Sequence, residues 1–318
     1  MGYGNGGRGS DGAPRVACAL AGELRTLSRL RHRFVEDVKK PLQADIFAHV
    51  SSGSTTRPWK LRHCHSFINA SVSVHAVLAI KQILEPVSFV VDSGLDYLED
   101  SAVYVNDTLA ALTAFGLLTR WERLLEAILT HERATQLAYN WVIRMRPDLL
   151  FSCRLTPLFL ADLGPRSAQQ ADSFTIMDRR TATHVLRARS ILASCSCRIG
   201  IEFCVPSLLL AANVTFVEVE ISDILRTVSC AAAVAPNGCS TADVRGCNSP
   251  TVEANADTTE TGKPLCRLSA LRHQEVSWTA FAHQVHARAE WISSTPCARH
   301  PPSPSTLAPC PRAYARPS

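Results

Sequence analysis

The chain has 318 residues, 46% of them hydrophobic and 19% charged, with a formal net charge of +5. That length suits one large α/β domain or two smaller ones, and the apolar share excludes a disordered polyelectrolyte. The basic residues are scattered and aromatics make up only 7%, which argues against a nucleic-acid surface, and no run of about 18 apolar residues is present to span a membrane.

Residues 1–14 are Gly-rich and polar and are expected to form a flexible leader. They lack the apolar centre of a signal peptide. As it stands the chain is expected in the cytoplasm; the Golgi lumen is the alternative if an anchor precedes it. The run Val16 to Ala21, ended by Gly22, fits a strand buried on both faces. Leu27 to Lys40 shows helical spacing, with Leu27, Leu30, Phe34 and Val38 on one side and Pro41 as its stop. Ala44 to Val50 is a second strand, followed by a polar loop from Ser51 to Pro58. Phe67 to Leu84 reads as a helix whose apolar face holds Val74, Val77, Leu78 and Leu84. Val87 to Val91 is a third strand, closed by Asp92.

Leu109 to about Ala138 carries a long helical pattern with Trp121, Leu124, Leu125 and Ile128 as its core stripe and a candidate break at Gly116. Trp141 to Arg146 is a fourth strand, Ser173 to Met177 a fifth and Val214 to Val219 a sixth. Helices are expected over Thr181–Leu192 and from Pro206. The alternation predicts a mainly parallel sheet with helices on both faces. This domain is expected over residues 15–228. A Cys-rich extension (229–293), with one helix inside 268–292 around Trp278, Phe281 and Trp291, and a Pro-rich disordered tail (294–318) follow. Nine of the twelve cysteines lie at or after Cys195. With sequons at Asn69, Asn106 and Asn213 they leave a lumenal, disulfide-bonded state open.

Open α/β sheets bind ligands beyond the carboxyl ends of their strands, so candidate site residues are sought there. The strongest signal is Arg144-Met145-Arg146-Pro147-Asp148. Two guanidinium groups two residues apart on a strand share a face, Pro147 ends regular pairing, and Asp148 falls in the exit loop. The set suits a pyrophosphate, with Asp148 holding a metal or a ligand hydroxyl; a structural Arg–Asp ion pair at the corner is the competing reading. Gly22-Glu23-Leu24-Arg25 follows the first strand, where Gly22 permits close backbone approach and Arg25 adds charge near a helix N-terminus. Asp172 and Asp178 bracket the fifth strand. Asp172 is a candidate base, and Asp178 a helix N-cap with Thr181 competing. His63-Cys64-His65 and Cys195-Ser196-Cys197 lack the spacing of a zinc site, and His283 with His286 reads as core or surface.

Taken together, these segments resemble a glycosyltransferase-like family of plants and algae. The resemblance rests on Val16 to Arg25, on Asp45-Ile46-Phe47, and on Trp121 with Glu132. It continues through Tyr139-Asn140-Trp141-Val142-Ile143-Arg144-Met145-Arg146-Pro147-Asp148 and through Asp172 to Arg179. It implies a GT-A-like fold and transfer of a sugar from a nucleotide-diphosphate sugar to a glycan or protein acceptor. It also implies that Arg25, Arg144 and Arg146 face the diphosphate and that Asp148 holds Mn²⁺, Mg²⁺ or the sugar; Asp172 is the expected acceptor base. One carboxylate stands where the GT-A metal motif has two. A non-catalytic nucleotide- or glycan-binding protein on the same fold is therefore the alternative.

Overall fold

The computed structural model describes residues 14–24, 27–52, 72–92, 109–170, 173–187, 189, 209, 214–224, 263–271 and 273–276. The first strand, β1 (Val16–Glu23), is an interior strand, third from one edge, of an eight-stranded mixed sheet. Parallel to it run β2 (Asp45–Ser51) on one side and β4 (Trp141–Met145) on the other, and β3 (Ser88–Asp92) continues beyond β2 in the same direction. Beyond β4 the sheet becomes mixed. The antiparallel β7 (Phe174–Asp178) joins β4, then follow β6 (Ser167–Gln170), β8 (Phe216–Val219) and β10 (His273–Val276). A separate two-stranded ribbon pairs β5 (Leu149–Phe151) with β9 (Ser222–Ile224).

Alternation along β1 builds two cores. Val16, Cys18 and Leu20 join Ile46, Ile143 and Ile176 on one face; Ala17, Ala19 and Ala21 join Phe47 and Val142 on the other. The alanines leave room for the long helix α3 (Leu109–Thr135), which lays Trp121, Leu124, Leu125 and Ile128 on that second face. Its helical assignment runs through Gly116. The first face is covered by α1 (Leu27–Phe34), α2 (Val74–Leu84) and α4 (Pro157–Leu163), the second by α3 and α5 (Arg179–Val185). The expected α/β sheet with helices on both faces is thus present.

Pro41 does not stop the first helix as expected. The chain passes from α1 through a π-helical stretch, Val35–Lys39, into a last turn at Lys40–Leu42 that contains the proline. In a regular helix the Asp37 carbonyl would accept from residue 41, which has no N–H. It accepts instead from the Leu155 N–H at 2.8 Å. Gln43, at φ 49°, then ends the helix in a left-handed turn.

Helix α2 starts at Val74, capped by Ser73, whose Oγ accepts from the Ala76 N–H. Its buried side holds Ile80 and Leu84 with Val77 packed beside them, whereas Val74 and Leu78, expected on that side, are exposed. The C-terminal part departs further. In the first part of the range where one helix is expected, residues 268–271 and 273–276 form a 3₁₀ turn at Leu268–Ala270 and strand β10. They are held to the domain by hydrogen bonding of β10 to β8 and by a Cys153–Cys266 disulfide, so the folded unit extends past residue 228. Apart from Pro14 and Leu209, the leader, the tail, the helix from Pro206, the His63–His65 and Cys195–Cys197 clusters, the sequon asparagines, Trp278, Phe281, Trp291, His283 and His286 lie outside the described residues.

Candidate functional site

Strands β1 to β4 all deliver their carboxyl ends to one edge of the sheet. Chain order runs outward from β1 to β2 and β3, then returns to the other side of β1 as β4. The direction of winding therefore reverses between β1 and β4, where open sheets form a crevice. Leu20 pairs with Met145 in that ladder, which brings Gly22 beside Pro147. Gly22 has φ +143°, and a Cβ built on it would stand 2.9 Å from Pro147 Cδ. The expected close approach at Gly22 is made by this ring, which joins the two motifs in one corner.

Past β4, Arg146 donates through Nε and a terminal nitrogen to both oxygens of Asp148, at 2.9 and 2.7 Å. The Arg146 side chain is 26% exposed and that of Asp148 only 8%. The Arg146 backbone N–H donates to the Ser173 carbonyl, which ties the corner to β7.

Arg144 occupies a different place. Only 1% exposed, it lies on the helix-covered face, its guanidinium 4.7 Å from the Trp121 ring centroid. It also donates to Thr175 Oγ1 at 2.8 Å. Strand β4 ends at Met145, so Arg146 stands just past it, at the start of the exit turn. Arg25 and Asp172 lie outside the described residues. Asp178 is the N-cap of α5, accepting from the Thr181 backbone N–H and hydroxyl, so Thr181 is its partner.

The same edge carries a cluster that the sequence reading passed over. Asp92, the last residue of β3, takes two hydrogen bonds from Arg120 of α3, at 2.8 and 2.7 Å, and lies 3.3 Å from His49 Nε2 of β2. All three are buried. A lone His in a strand and a lone Arg on a helix carry no local signal; the parallel pairing of β2 with β3 and the packing of α3 against the sheet bring them together.

The remaining residues of the family resemblance meet at the opposite edge. Glu132 accepts from Arg179 at 2.8 and 2.7 Å and from the Tyr139 backbone N–H. The Tyr139 hydroxyl donates to Asp45 at 2.7 Å, and Arg15 covers its ring. Asn140 Oδ1 accepts from the Arg15 N–H. Burial acts to raise the Glu132 pKa, but the bonds from Arg179 and Tyr139 outweigh it and hold the carboxyl below its ordinary range. Burial, then the hydrogen bond to Asp45, pushes the Tyr139 hydroxyl well above the usual tyrosine range.

Both oxygens of Asp148 accept hydrogen bonds from Arg146. No cluster of three or more acidic, His or Cys side chains is arranged for a metal among the described residues. No family model and no curated protein matches the chain.

Proposed function

We propose that the protein is glycosyltransferase-like, of GT-A type, and binds a nucleotide-diphosphate sugar at the carboxyl ends of β1 and β4. The observation that carries this reading is the winding reversal between those strands, with the Gly22–Pro147 corner and a partly exposed Arg146 at its mouth. A guanidinium there suits a diphosphate, whose oxygens accept two parallel N–H bonds. When the sugar leaves, negative charge grows on the diphosphate, and a fixed cation lowers the barrier electrostatically. Arg146 is that cation, and Asp148 orients it. Arg144, under Trp121, supports the strand from behind. A divalent cation at Asp148 would share that carboxylate with Arg146 and take further ligands from the diphosphate. Asp172 remains the proposed acceptor base.

The closed Arg146–Asp148 pair favours a second reading, in which the crevice binds a nucleotide or glycan without transferring it. One experiment addresses both. The full chain is screened by thermal shift against nucleoside diphosphates and nucleotide sugars, with and without Mn²⁺, and any binder is then assayed for sugar release. A ligand at a hundredfold its Kd adds about 2.7 kcal/mol to stability. A shift from one nucleotide family, abolished in Arg146→Ala, supports binding at this corner. Sugar release then marks a transferase, and binding without release marks the second reading. No shift from any nucleotide or nucleotide sugar in a cooperatively unfolding sample overturns the transferase reading and nucleotide binding alike.

A further inference from the structure

The cysteines among the described residues are of two kinds. Cys18 is a free thiol inside β1, 3.3 Å from Met145 Sδ, where burial pushes its pKa well above the usual thiol range. A thiol in that setting is an inert core group. Cys153 and Cys266 are joined to each other, although 113 residues separate them in sequence.

Their meeting does not depend on the sulfurs alone. Arg154 forms a parallel bridge with Leu265. Its N–H donates to the Pro264 carbonyl at 2.9 Å, and its carbonyl accepts from the Cys266 N–H at 2.8 Å. Before Cys153, the Ser152 N–H donates to the Ile221 carbonyl at 3.0 Å. Lys263 adds a buried ion pair with Asp37. This frame holds the two Cα atoms 5.1 Å apart, inside the roughly 4.4–6.8 Å that a disulfide spans.

The bond is also closed off, since Cys153 is 4% exposed and Cys266 1%. Thiol–disulfide exchange needs a thiolate to reach one of the sulfurs. This setting does not suit a redox-sensing or catalytic disulfide, which must stay open to exchange. It suits a bond that is closed once, while residues 263–271 are still off the sheet, and is then sealed by their docking.

We infer that the chain folds in an oxidising compartment, the secretory lumen or the space outside the cell, with Cys153–Cys266 as a resident structural bond. In the cytoplasm, thiol carriers keep such cysteine pairs reduced. The oxidant is a protein that carries an exchangeable disulfide. One cysteine thiolate of the chain attacks that disulfide, which forms a mixed disulfide and frees one carrier thiol. The second thiolate attacks the chain's own sulfur in the mixed disulfide, closes Cys153–Cys266 and frees the other carrier thiol. Two protons and two electrons pass from the chain to the carrier. None of this involves the β1/β4 crevice, so its failure would leave the nucleotide reading standing.

The test uses the full chain as its own cells hold it. Thiols are trapped with acid and blocked with N-ethylmaleimide in denaturant, and the protein is digested without reductant for mass spectrometry. Sealed membrane vesicles from the same cells are treated with protease, with and without detergent. The Cys153 and Cys266 peptides should be found linked to each other and should take up the label only after reduction. Cys18 should take it up without reduction, which shows that the denaturant exposes buried thiols. The linked protein should be found outside the cells or in vesicles that protect it until detergent is added. Labelling of both Cys153 and Cys266 without reduction, a bond from either to another cysteine, or linked protein in the cytosolic fraction alone each overturns the proposal.

Discussion

The corner between β1 and β4 depends on the absence of a single methyl group. Gly22 combines φ +143° with a position where a Cβ would press on Pro147 Cδ at 2.9 Å. Gly22→Ala therefore incurs backbone strain and a steric clash, with an expected loss of roughly 2–4 kcal/mol in urea unfolding. A variant as stable as the wild type would mean that Pro147 can yield, and that this contact does not define the corner. The two arginines of the motif should part in the same assay. Arg144→Ala empties the space over Trp121 and strips Thr175 of its donor, with an expected loss of about 3 kcal/mol. Arg146→Ala leaves the nearly buried Asp148 carboxylate without its guanidinium and so also costs stability, but it alone should remove ligand-induced shifts. Ligand-induced shifts that persist in Arg146→Ala would make Arg146 a structural lock and remove the support for the nucleotide reading. The sequence placed both arginines near one another but not their burial, because strand parity says nothing about where the ladder ends.

Between elements, the network that joins α3, β4 and α5 is held by Glu132. Its folded pKa lies below its ordinary value of 4.5, so the native state binds fewer protons than the unfolded chain in acid. The stability from this carboxylate is fully present above pH 4.5 and is lost as pH falls through the folded pKa. Glu132→Gln should cost roughly 1–3 kcal/mol at neutral pH. It should also flatten part of the acid limb in a stability-against-pH series. An acid limb identical to the wild type would show that other carboxylates carry it. Elements with strong periodicity were legible: the apolar run of β1 and the Trp121–Ile128 stripe are buried as read. Strand β6 was not, because Ser167, Ala168, Gln169 and Gln170 show no apolar alternation. The buried Gln169 and the Gln170 side chain, which accepts from the Ile221 N–H, take their places only through tertiary contacts. The face of α2 was misread for a related reason. Val74 and Leu78 look like core by type, and only the packing of α2 on the sheet selects Val77, Ile80 and Leu84 instead.

For the molecule as a whole, the segment from Lys263 to Leu271 is the seam that holds chain remote in sequence to the sheet. Lys263 Nζ donates to Asp37 Oδ2 and to the Phe151 carbonyl, both at 2.7 Å. The Arg154 N–H donates to the Pro264 carbonyl, and the Arg154 carbonyl accepts from the Cys266 N–H. Arg267 pairs with Asp162, and Cys266 closes a disulfide to Cys153 across 113 residues of sequence. The π-helical turn that Pro41 sits beside supplies Asp37, so a local irregularity in one helix becomes an anchor for the seam. Cysteine counting left the pairing open, since a disulfide across so long a separation has no local signature. A cross-link closing a loop of about 100 residues is worth roughly 4–5 kcal/mol in the chain-entropy account, and less where the reduced chain keeps structure. Cys266→Ser should therefore lower stability by about 2–5 kcal/mol. The amides of 263–276 should exchange with deuterium earlier than those of β1, because the seam would then rest on hydrogen bonds and one buried ion pair. Lys263→Met in that background should speed this exchange further by removing the partner of Asp37. If instead Cys153 and Cys266 both react with a thiol reagent in the unreduced native protein, the cross-link does not form. Equal protection of 263–276 in the wild type and in Cys266→Ser would show that the strand pairing and ion pair hold the seam without it.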